Sequence, residues 1–213
     1  MNNRHLFLFG GGPPFNEKLG ETFASYSLKE NGKVGLLLIE REGWKEYMPS
    51  YTSLLEDHGL KNFVCLPLSL SPEMIMKELN SCTGVIICGG ETERYRDLIV
   101  DTAVGKYIKD MYQSGIPVAG FSAGALISPT YCVIPPIDNS KGKSLYLTGL
   151  GLVSDCVISV HFSEWDEKDN LHRAIERMNV LKGYGIDQDS GLYFQNEDLT
   201  YTEGNIYIVN RLR

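Results

Sequence analysis

A single serine lies in a run of very small residues, and its setting is typical of a nucleophile. Ser122 stands between Gly120 and Gly124 in the segment AGFSAGA, which fits the pattern G-x-S-x-G. In that pattern the serine occupies a sharp turn from a strand into a helix, and small neighbours let the two elements approach. The N–H groups at the helix start then favour negative charge near the serine. Tight packing at an ordinary turn is the alternative interpretation.

A nucleophilic serine needs a base, and the chain has four histidines. His161 ends the apolar run CVISVHF, at the carboxyl end of a predicted strand, where open α/β sheets bind their ligands. The other three are expected to be structural or exposed: His5 in an edge-like first strand, His58 at a helix end and His172 on a helix surface. His161 is therefore the predicted base, and a buried histidine bonded to backbone is the alternative.

Acyl transfer also needs hydrogen-bond donors for the oxygen that becomes negative during attack. Gly89 and Gly90 follow the apolar run GVIIC, and their amides can approach a ligand closely. An ordinary strand-to-helix turn is the alternative for this pair. A third glycine run, residues 10–12, precedes Pro13 and Pro14. It lacks the spacing G-x-G-x-x-G, and prolines have no N–H, so it is not predicted to bind phosphate.

The composition is that of an ordinary globular chain with an acidic surface. Of 213 residues, 43% are hydrophobic and 22% are charged, and the formal net charge is −7. This acidity argues against nucleic acid or an anionic membrane as the main partner, because both attract clustered Lys and Arg. No apolar run is long enough for a membrane span, and the short one near the start is not expected to be a signal peptide. Five cysteines without a CxxC pair indicate reduced thiols, so we expect a cytoplasmic protein that needs no metal or cofactor.

Alternating strands and helices predict one α/β domain over residues 1–213. Short apolar runs such as KVGLLLIE and PVAGFS indicate strands buried on both faces of a largely parallel sheet, sandwiched by helices in a doubly wound arrangement. The predicted helices are NEKLGETFASYSLKENG, WKEYMPSYTSLLEDHG with an interruption at Pro49, SPEMIMKELNSC with Ser71 as N-cap, and DLIVDTAVGKYIKDMYQSG. A C-terminal β-hairpin is expected to turn at Glu203–Asn205.

Together these motifs resemble peptidase family S51, which contains dipeptidase E and the cyanophycinases. The glycine pair, GFSAGA, TGLGL, HFSE and GYGIDQDSGL follow one another in the family's order. The resemblance implies a sheet like that of the class I glutamine amidotransferases, with Ser122 as nucleophile and His161 as general base. It also implies an oxyanion hole formed by the amides of Gly90 and Ala123, with Gly89 as a substrate-binding residue.

The third catalytic position departs from the family pattern. The family's glutamate falls at Gln188 in the loop GIDQD, and an amide can orient a histidine but cannot balance its charge. Asp187 and Asp189 on either side are alternative partners. The resemblance also marks Asp138 as a catalytic carboxylate, and turn chemistry beside Asn139 is the alternative for that residue.

The resemblance implies a short peptide as substrate, with an N-terminal aspartate as in dipeptidase E and a basic residue to anchor it. Arg94 is the predicted anchor and Arg173 is a second candidate. Asp166, Glu167 and Asp169 would instead repel an aspartyl side chain and favour an amine, unless they form a solvated helix start.

We expect a serine exopeptidase that acts as a monomer or homodimer, with no nucleic-acid or membrane partner. The alternative is a non-catalytic peptide-binding or sensor protein in which Gln188 marks a degraded triad.

Overall fold

The computed structural model describes residues 2–29 and 32–211, and within them the chain alternates between strands and helices. The strands are β1 (His5–Phe9), β2 (Lys33–Leu38), β3 (Asn62–Pro67), β4 (Gly84–Ile87), β5 (Val118–Phe121), β6 (Tyr131–Ile134), β7 (Leu145–Thr148), β8 (Cys156–Val160), β9 (Lys182–Ile186), β10 (Gly191–Gln195), β11 (Asp198–Glu203) and β12 (Ile206–Asn210). The helices are α1 (Glu17–Ser27), α2 (Trp44–Tyr47), α3 (Pro49–Asp57), α4 (Pro72–Leu79), α5 (Thr92–Ile99), α6 (Ala103–Gln113), α7 (Ala123–Ile127) and α8 (Lys168–Met178).

A seven-stranded sheet forms the centre and is parallel over most of its width. Its order is β11-β10-β1-β5-β4-β2-β3. The five neighbouring strands β1, β5, β4, β2 and β3 all pair in parallel. β10 and β11 extend this sheet in the antiparallel direction. β1, β4 and β5 are buried at every position, as expected for strands that are covered on both faces. The predicted α/β class with a largely parallel sheet is confirmed.

The helices pack in two groups. α1 contacts α3, whereas α4 and α5 contact α6, and α5 also contacts α7. Two predicted details are confirmed: the Ser71 hydroxyl caps α4 by accepting the Met74 N–H, and Pro49 separates α2 from α3. The single helix predicted from Asp97 to Gly115 is wrong. It divides into α5 and α6 because Asp101 adopts a positive φ of 62°, after which Thr102 caps the new helix.

The C-terminal strands differ from the predicted hairpin in where they turn. The hairpin joins β10 to β11 through Asn196 and Glu197, whose φ values of 53° and 74° match a type I′ turn. After β11 the chain bends at Gly204, and β12 pairs with β9 in a separate sheet of order β12-β9-β8. The predicted turn at Glu203–Asn205 is therefore wrong, because this segment carries the chain from one sheet to another.

β1 is also an interior strand and not the edge-like strand that the sequence indicated. It lies between β5 and the antiparallel β10, which returns from late in the sequence to cover its edge. His5 is consequently buried, and its Nδ1 lies 2.7 Å from the hydroxyl of Tyr193. His172 is exposed, as predicted.

All five cysteines are free thiols, and four of them are buried. In the part of the chain that the structure describes, no helix combines the length and the apolar character that crossing a membrane requires.

Candidate active site

Ser122 forms the junction between β5 and α7 in a strained backbone conformation. Its φ of 48° and ψ of −105° lie in a region that residues with a side chain rarely adopt. The Ser122 N–H donates to the Phe9 carbonyl at 3.0 Å, which ties the turn to β1. A Cβ on Gly124 would lie only 2.3 Å from the Ile87 carbonyl oxygen, so the glycine lets α7 start directly against β4. The small residues of this segment therefore serve the sharp turn predicted from G-x-S-x-G.

His161 stands beside the serine, and the two side chains are in hydrogen-bond contact. Ser122 Oγ lies 3.1 Å from His161 Nε2. His161 follows β8 with a positive φ of 46°, and its N–H donates to the Gly10 carbonyl at 3.1 Å. Its ring packs on Trp165 with the ring centroids 4.3 Å apart. An imidazole in this position can take the serine proton as the hydroxyl attacks a carbonyl.

The environment of His161 keeps the imidazole neutral at neutral pH. Burial lowers the pKa of His161 below its usual 6.5, and the Gln188 side chain and the Glu164 charge raise it in part. The first effect is the largest, so the ring is available as a base near pH 7.

Gln188 lies on the base but is a weak partner for it. Its exposed side chain acts as an acceptor toward His161, although the pair does not reach the geometry of a well-aligned hydrogen bond. The Gln188 backbone N–H donates to Glu164 Oε1 at 3.1 Å. Glu164 thus brings a negative charge to the neighbourhood of the base. It is held there by the very loop that carries the neutral amide.

Sequence reasoning did not single out Glu164, although the signal was present. Glu164 lies three residues after His161, and the Trp165 N–H donates to the His161 carbonyl at 2.8 Å. This bond closes a turn immediately after β8, which brings Glu164 back toward Gln188. A turn after the strand would bring a carboxylate three residues beyond the predicted base back toward that base, so this spacing was the signal.

Asp187 and Asp189 do not bond to the base. Asp187 is buried, and its Oδ1 accepts the Ser163 N–H at 3.0 Å, so it holds the segment that follows His161. Asp189 is exposed, and its carbonyl accepts the Asn16 side chain at 2.9 Å. Across residues 2–29 and 32–211, no hydrogen bond or ion pair joins either carboxylate to the imidazole. Asp187 supports the site through its bond to the Ser163 N–H, and Gln188 alone of these three residues faces His161.

Asp138 lies beside α5 and not beside the base. Its Oδ2 accepts the Thr92 hydroxyl at 2.5 Å. Burial raises the pKa of Asp138 to about 6, opposed by the Thr92 hydrogen bond and reinforced by the charge of Glu93. Thr92 follows the Gly89–Gly90 turn by two residues, so Asp138 is linked to that side of the site. Its catalytic role stays a prediction.

The two predicted oxyanion donors both lie close to Ser122. Ala123 is the first residue of α7, so its N–H has no partner within the helix. A Cβ on Gly89 would lie 3.5 Å from the Ser122 Cβ, which places the glycine turn against the nucleophile. Gly90 has a φ of 155°, a conformation that is essentially restricted to glycine. The structure therefore brings the glycine turn and the helix start to the same serine.

The two predicted substrate anchors, Arg94 and Arg173, each interact with an acidic side chain. Arg94 is exposed and lies 3.7 Å from Glu91 in an ion pair. Arg173 acts on Glu167, which is buried and accepts the Asn170 side chain at 2.6 Å. Within the described residues, no hydrogen bond or ion pair joins either arginine to Ser122 or His161.

The acidic segment after HFSE leads into a helix. Glu167 takes the N-cap position of α8, and Asp169 lies in the first turn, where acids are favoured. Within residues 2–29 and 32–211, no group of three or more His, Cys, Asp or Glu side chains is arranged to hold a metal ion.

The glycine run at residues 10–12 has a structural role that sequence reasoning missed. The Gly10 carbonyl accepts the His161 N–H at 3.1 Å, and its N–H donates to the Ser190 carbonyl at 3.0 Å. The run therefore joins the segment of the base to the loop of Gln188.

Sequence relatives of this chain include cyanophycinases and a protein described as a peptidase. A cyanophycinase from Trichormus variabilis is 25% identical over 155 residues, which cover 69% of this chain and 52% of the relative. This chain therefore spans about half the length of the cyanophycinase. A Bacillus subtilis protein described as the uncharacterized peptidase YgaJ is 22% identical over 209 residues, which cover 93% of this chain and 86% of the relative.

Structural and family comparisons agree with these relatives. The crystal structure of a peptidase from an acI-B1 Actinobacterium superimposes with a TM-score of 0.71 at 16% identity, covering 98% of this chain and 88% of that one, which shows a shared fold. The family model of peptidase family S51 matches residues 8–202. Because that match extends over nearly the whole length, the chain belongs to peptidase family S51, a family of serine peptidases.

Proposed function

We propose that this protein is a serine peptidase that hydrolyses short peptides through an acyl-enzyme on Ser122. The observation that carries the proposal is the 3.1 Å contact between Ser122 Oγ and His161 Nε2. That contact joins a strained turn after one strand to the carboxyl end of another, where α/β sheets place their ligands. Membership of family S51 supports the same chemistry.

The mechanism follows from the two side chains. Ser122 Oγ attacks the peptide carbonyl carbon while its proton passes to His161 Nε2, and the carbonyl oxygen becomes negative. The N–H groups of Gly90 and Ala123 bind that oxygen. The C–N bond then breaks as His161 returns the proton to the leaving amine. Water, deprotonated by the same imidazole, releases the acyl group and restores Ser122.

Protonated His161 needs a negative charge nearby during these steps. We infer that Gln188 acts as an acceptor toward the ring, and that Glu164, which accepts the Gln188 N–H, supplies the charge. Because Glu164 is exposed, its contribution is smaller than that of a buried, directly bonded carboxylate. We therefore expect a slow enzyme, because the charge of protonated His161 is only weakly balanced.

The finer fold assignment and substrate are part of the same proposal. We assign the sheet to the class I glutamine amidotransferase-like type. Amidotransferases carry a cysteine at the turn where this chain has Ser122, and the serine favours peptide hydrolysis. Dipeptidase E-like exopeptidase action on Asp-Xaa dipeptides is the first specificity to test, with Gly89 and Arg94 as substrate-binding residues. We expect the enzyme to work in the cytoplasm as a monomer or homodimer.

A non-catalytic peptide-binding protein is the second candidate. The observation that favours it is the neutral side chain of Gln188 at the position beside the base. Such a protein would keep the serine turn but would not activate the hydroxyl.

Intact mass after treatment with a fluorophosphonate separates the two candidates. Wild type is expected to gain one phosphonyl adduct, whereas Ser122→Ala and His161→Ala gain none. Hydrolysis of a dipeptide panel sorted by N-terminal charge then defines the substrate. An unlabelled wild type would remove the peptidase proposal and favour the binding protein.

A further inference from the structure

Two buried tyrosines hold the backbone of Gly89, one through its N–H and one through its carbonyl. The Tyr51 hydroxyl accepts the Gly89 N–H at 3.0 Å, and the Tyr95 hydroxyl donates to the Gly89 carbonyl at 3.2 Å. Tyr95 also accepts the Ile39 N–H at 3.1 Å, so its single proton is free to serve the glycine carbonyl. The two tyrosines belong to α3 and α5 and are 2% and 1% exposed. Both backbone groups of Gly89 are therefore fixed, each from a different helix.

This arrangement determines where the Gly90 N–H points. In a trans peptide the carbonyl oxygen and the next N–H point in opposite directions, and the Gly89–Gly90 bond is not among the cis bonds of the described residues. A carbonyl held toward Tyr95 therefore directs the Gly90 N–H away from Tyr95. The same turn packs against Ser122. The orientation of this one peptide plane therefore decides whether the Gly90 N–H can bind the oxygen of a carbonyl that Ser122 attacks.

Two consecutive glycines cannot hold such an orientation by themselves. Glycine has the widest range of backbone conformations, and Gly90 has a φ of 155°. A hypothetical Cβ on Gly90 would lie 2.9 Å from the Tyr95 ring, which shows how closely the tyrosine covers the turn. The Tyr51 ring also packs edge-on against Phe121, the residue before the nucleophile, at 5.0 Å between centroids. The restraint that the glycines lack thus comes from the two tyrosines.

We propose that Tyr95 and Tyr51 are positioning residues that aim the Gly90 N–H at the negative oxygen formed during acyl transfer. The inference rests on the proposed function of Ser122. Neither tyrosine touches the reacting atoms. Burial raises the pKa of both phenols, so both keep their protons and act as fixed hydrogen-bonding groups, not as acids or bases.

Removal of single hydroxyls tests this inference, and the chain supplies a matched control. Tyr112 is also 1% exposed, but its hydroxyl has no hydrogen-bond partner in the described part of the chain. We would measure the second-order rate constant for labelling of Ser122 by a fluorophosphonate. The phosphoryl oxygen of this reagent needs the same hydrogen-bond donors as a peptide carbonyl. Loss of an oxyanion-hole donor lowers rates by about 100- to 1,000-fold, and a misdirected donor should cost about 10- to 100-fold.

Tyr95→Phe and Tyr51→Phe are expected to show this loss, while Tyr112→Phe stays within about twofold of wild type. The pH at which labelling declines on the acid side should stay unchanged, because His161 is not affected. Wild-type labelling rates in both Tyr95→Phe and Tyr51→Phe would overturn the inference and leave the function of Ser122 intact. A shifted acid limb would also overturn it, since the damage would then lie at the base.

Two further results are distinguishable from these. If wild type is not labelled at all, the proposed function fails and the inference fails with it. If Tyr95→Phe melts far below Tyr112→Phe, its rate is set aside and Tyr51→Phe decides, because that change releases the Gly89 N–H and so frees the same glycine from its other side.

Discussion

Replacement of Gln188 by glutamate is the most informative perturbation of the base. A carboxylate at position 188 would lie where the neutral amide now faces the imidazole, so it should stabilise protonated His161. Opposite charges about 4 Å apart attract by about 4 kcal/mol in a partly buried site and by about 1 kcal/mol in water. Position 188 is exposed, so a value near the lower end applies. An attraction of about 1.4 kcal/mol corresponds to about one pKa unit and to about tenfold in rate.

The assay is the fluorophosphonate labelling rate as a function of pH, together with an NMR titration of the His161 ring. In wild type the acid limb should lie below pH 6.5, because burial lowers the pKa of His161. Gln188→Glu should move that limb up by about one unit and raise the plateau rate by up to about tenfold. Glu164→Gln is the matched opposite change and should lower both, by less because Glu164 acts on the ring through its charge alone and ranks behind Gln188 among the influences on the pKa of His161. A limb that stays in place in both variants would refute the assignment of these residues to the base.

Three further changes test other parts of the site. Asp138→Asn should stabilise the fold by about 2 kcal/mol at pH 8 and by little near pH 4, measured by urea unfolding at both pH values. The sign follows from the raised pKa of about 6, since a stabilising contribution of the protonated group is lost as pH rises through that value. Gly90→Ala should lower the labelling rate at least 100-fold, because its φ is positive and its Cβ would meet Tyr95 at 2.9 Å; a near-wild-type rate would show that labelling does not depend on the glycine conformation at position 90. Asp187→Asn should keep the fold but lower the labelling rate about tenfold by loosening the Ser163 N–H that it holds, and an unchanged rate would contradict that support.

The predicted hairpin and the predicted long helix show where local patterns fail. The turn residues Asn196 and Glu197 are as polar as their neighbours, so only the pairing of β10 with β11 distinguishes their turn from the one expected at Gly204. The break at Asp101 likewise depends on a single left-handed residue, which the spacing of the apolar positions does not reveal. Local propensity is weaker than tertiary pairing, so boundaries of this kind cannot be derived from sequence.

The sequence by itself determined that Ser122 and His161 each follow a strand. The small residues around Ser122 fit a sharp strand-to-helix turn, and the apolar run before His161 predicts a buried strand. Tertiary structure decided where the side chains of Asp187, Gln188 and Asp189 lie relative to His161. Their order along the chain says nothing about direction, whereas folding turns Asp187 toward Ser163 and leaves Gln188 facing the base. The tyrosines that hold the glycine turn come from different helices, so only the packed fold could bring them to one glycine.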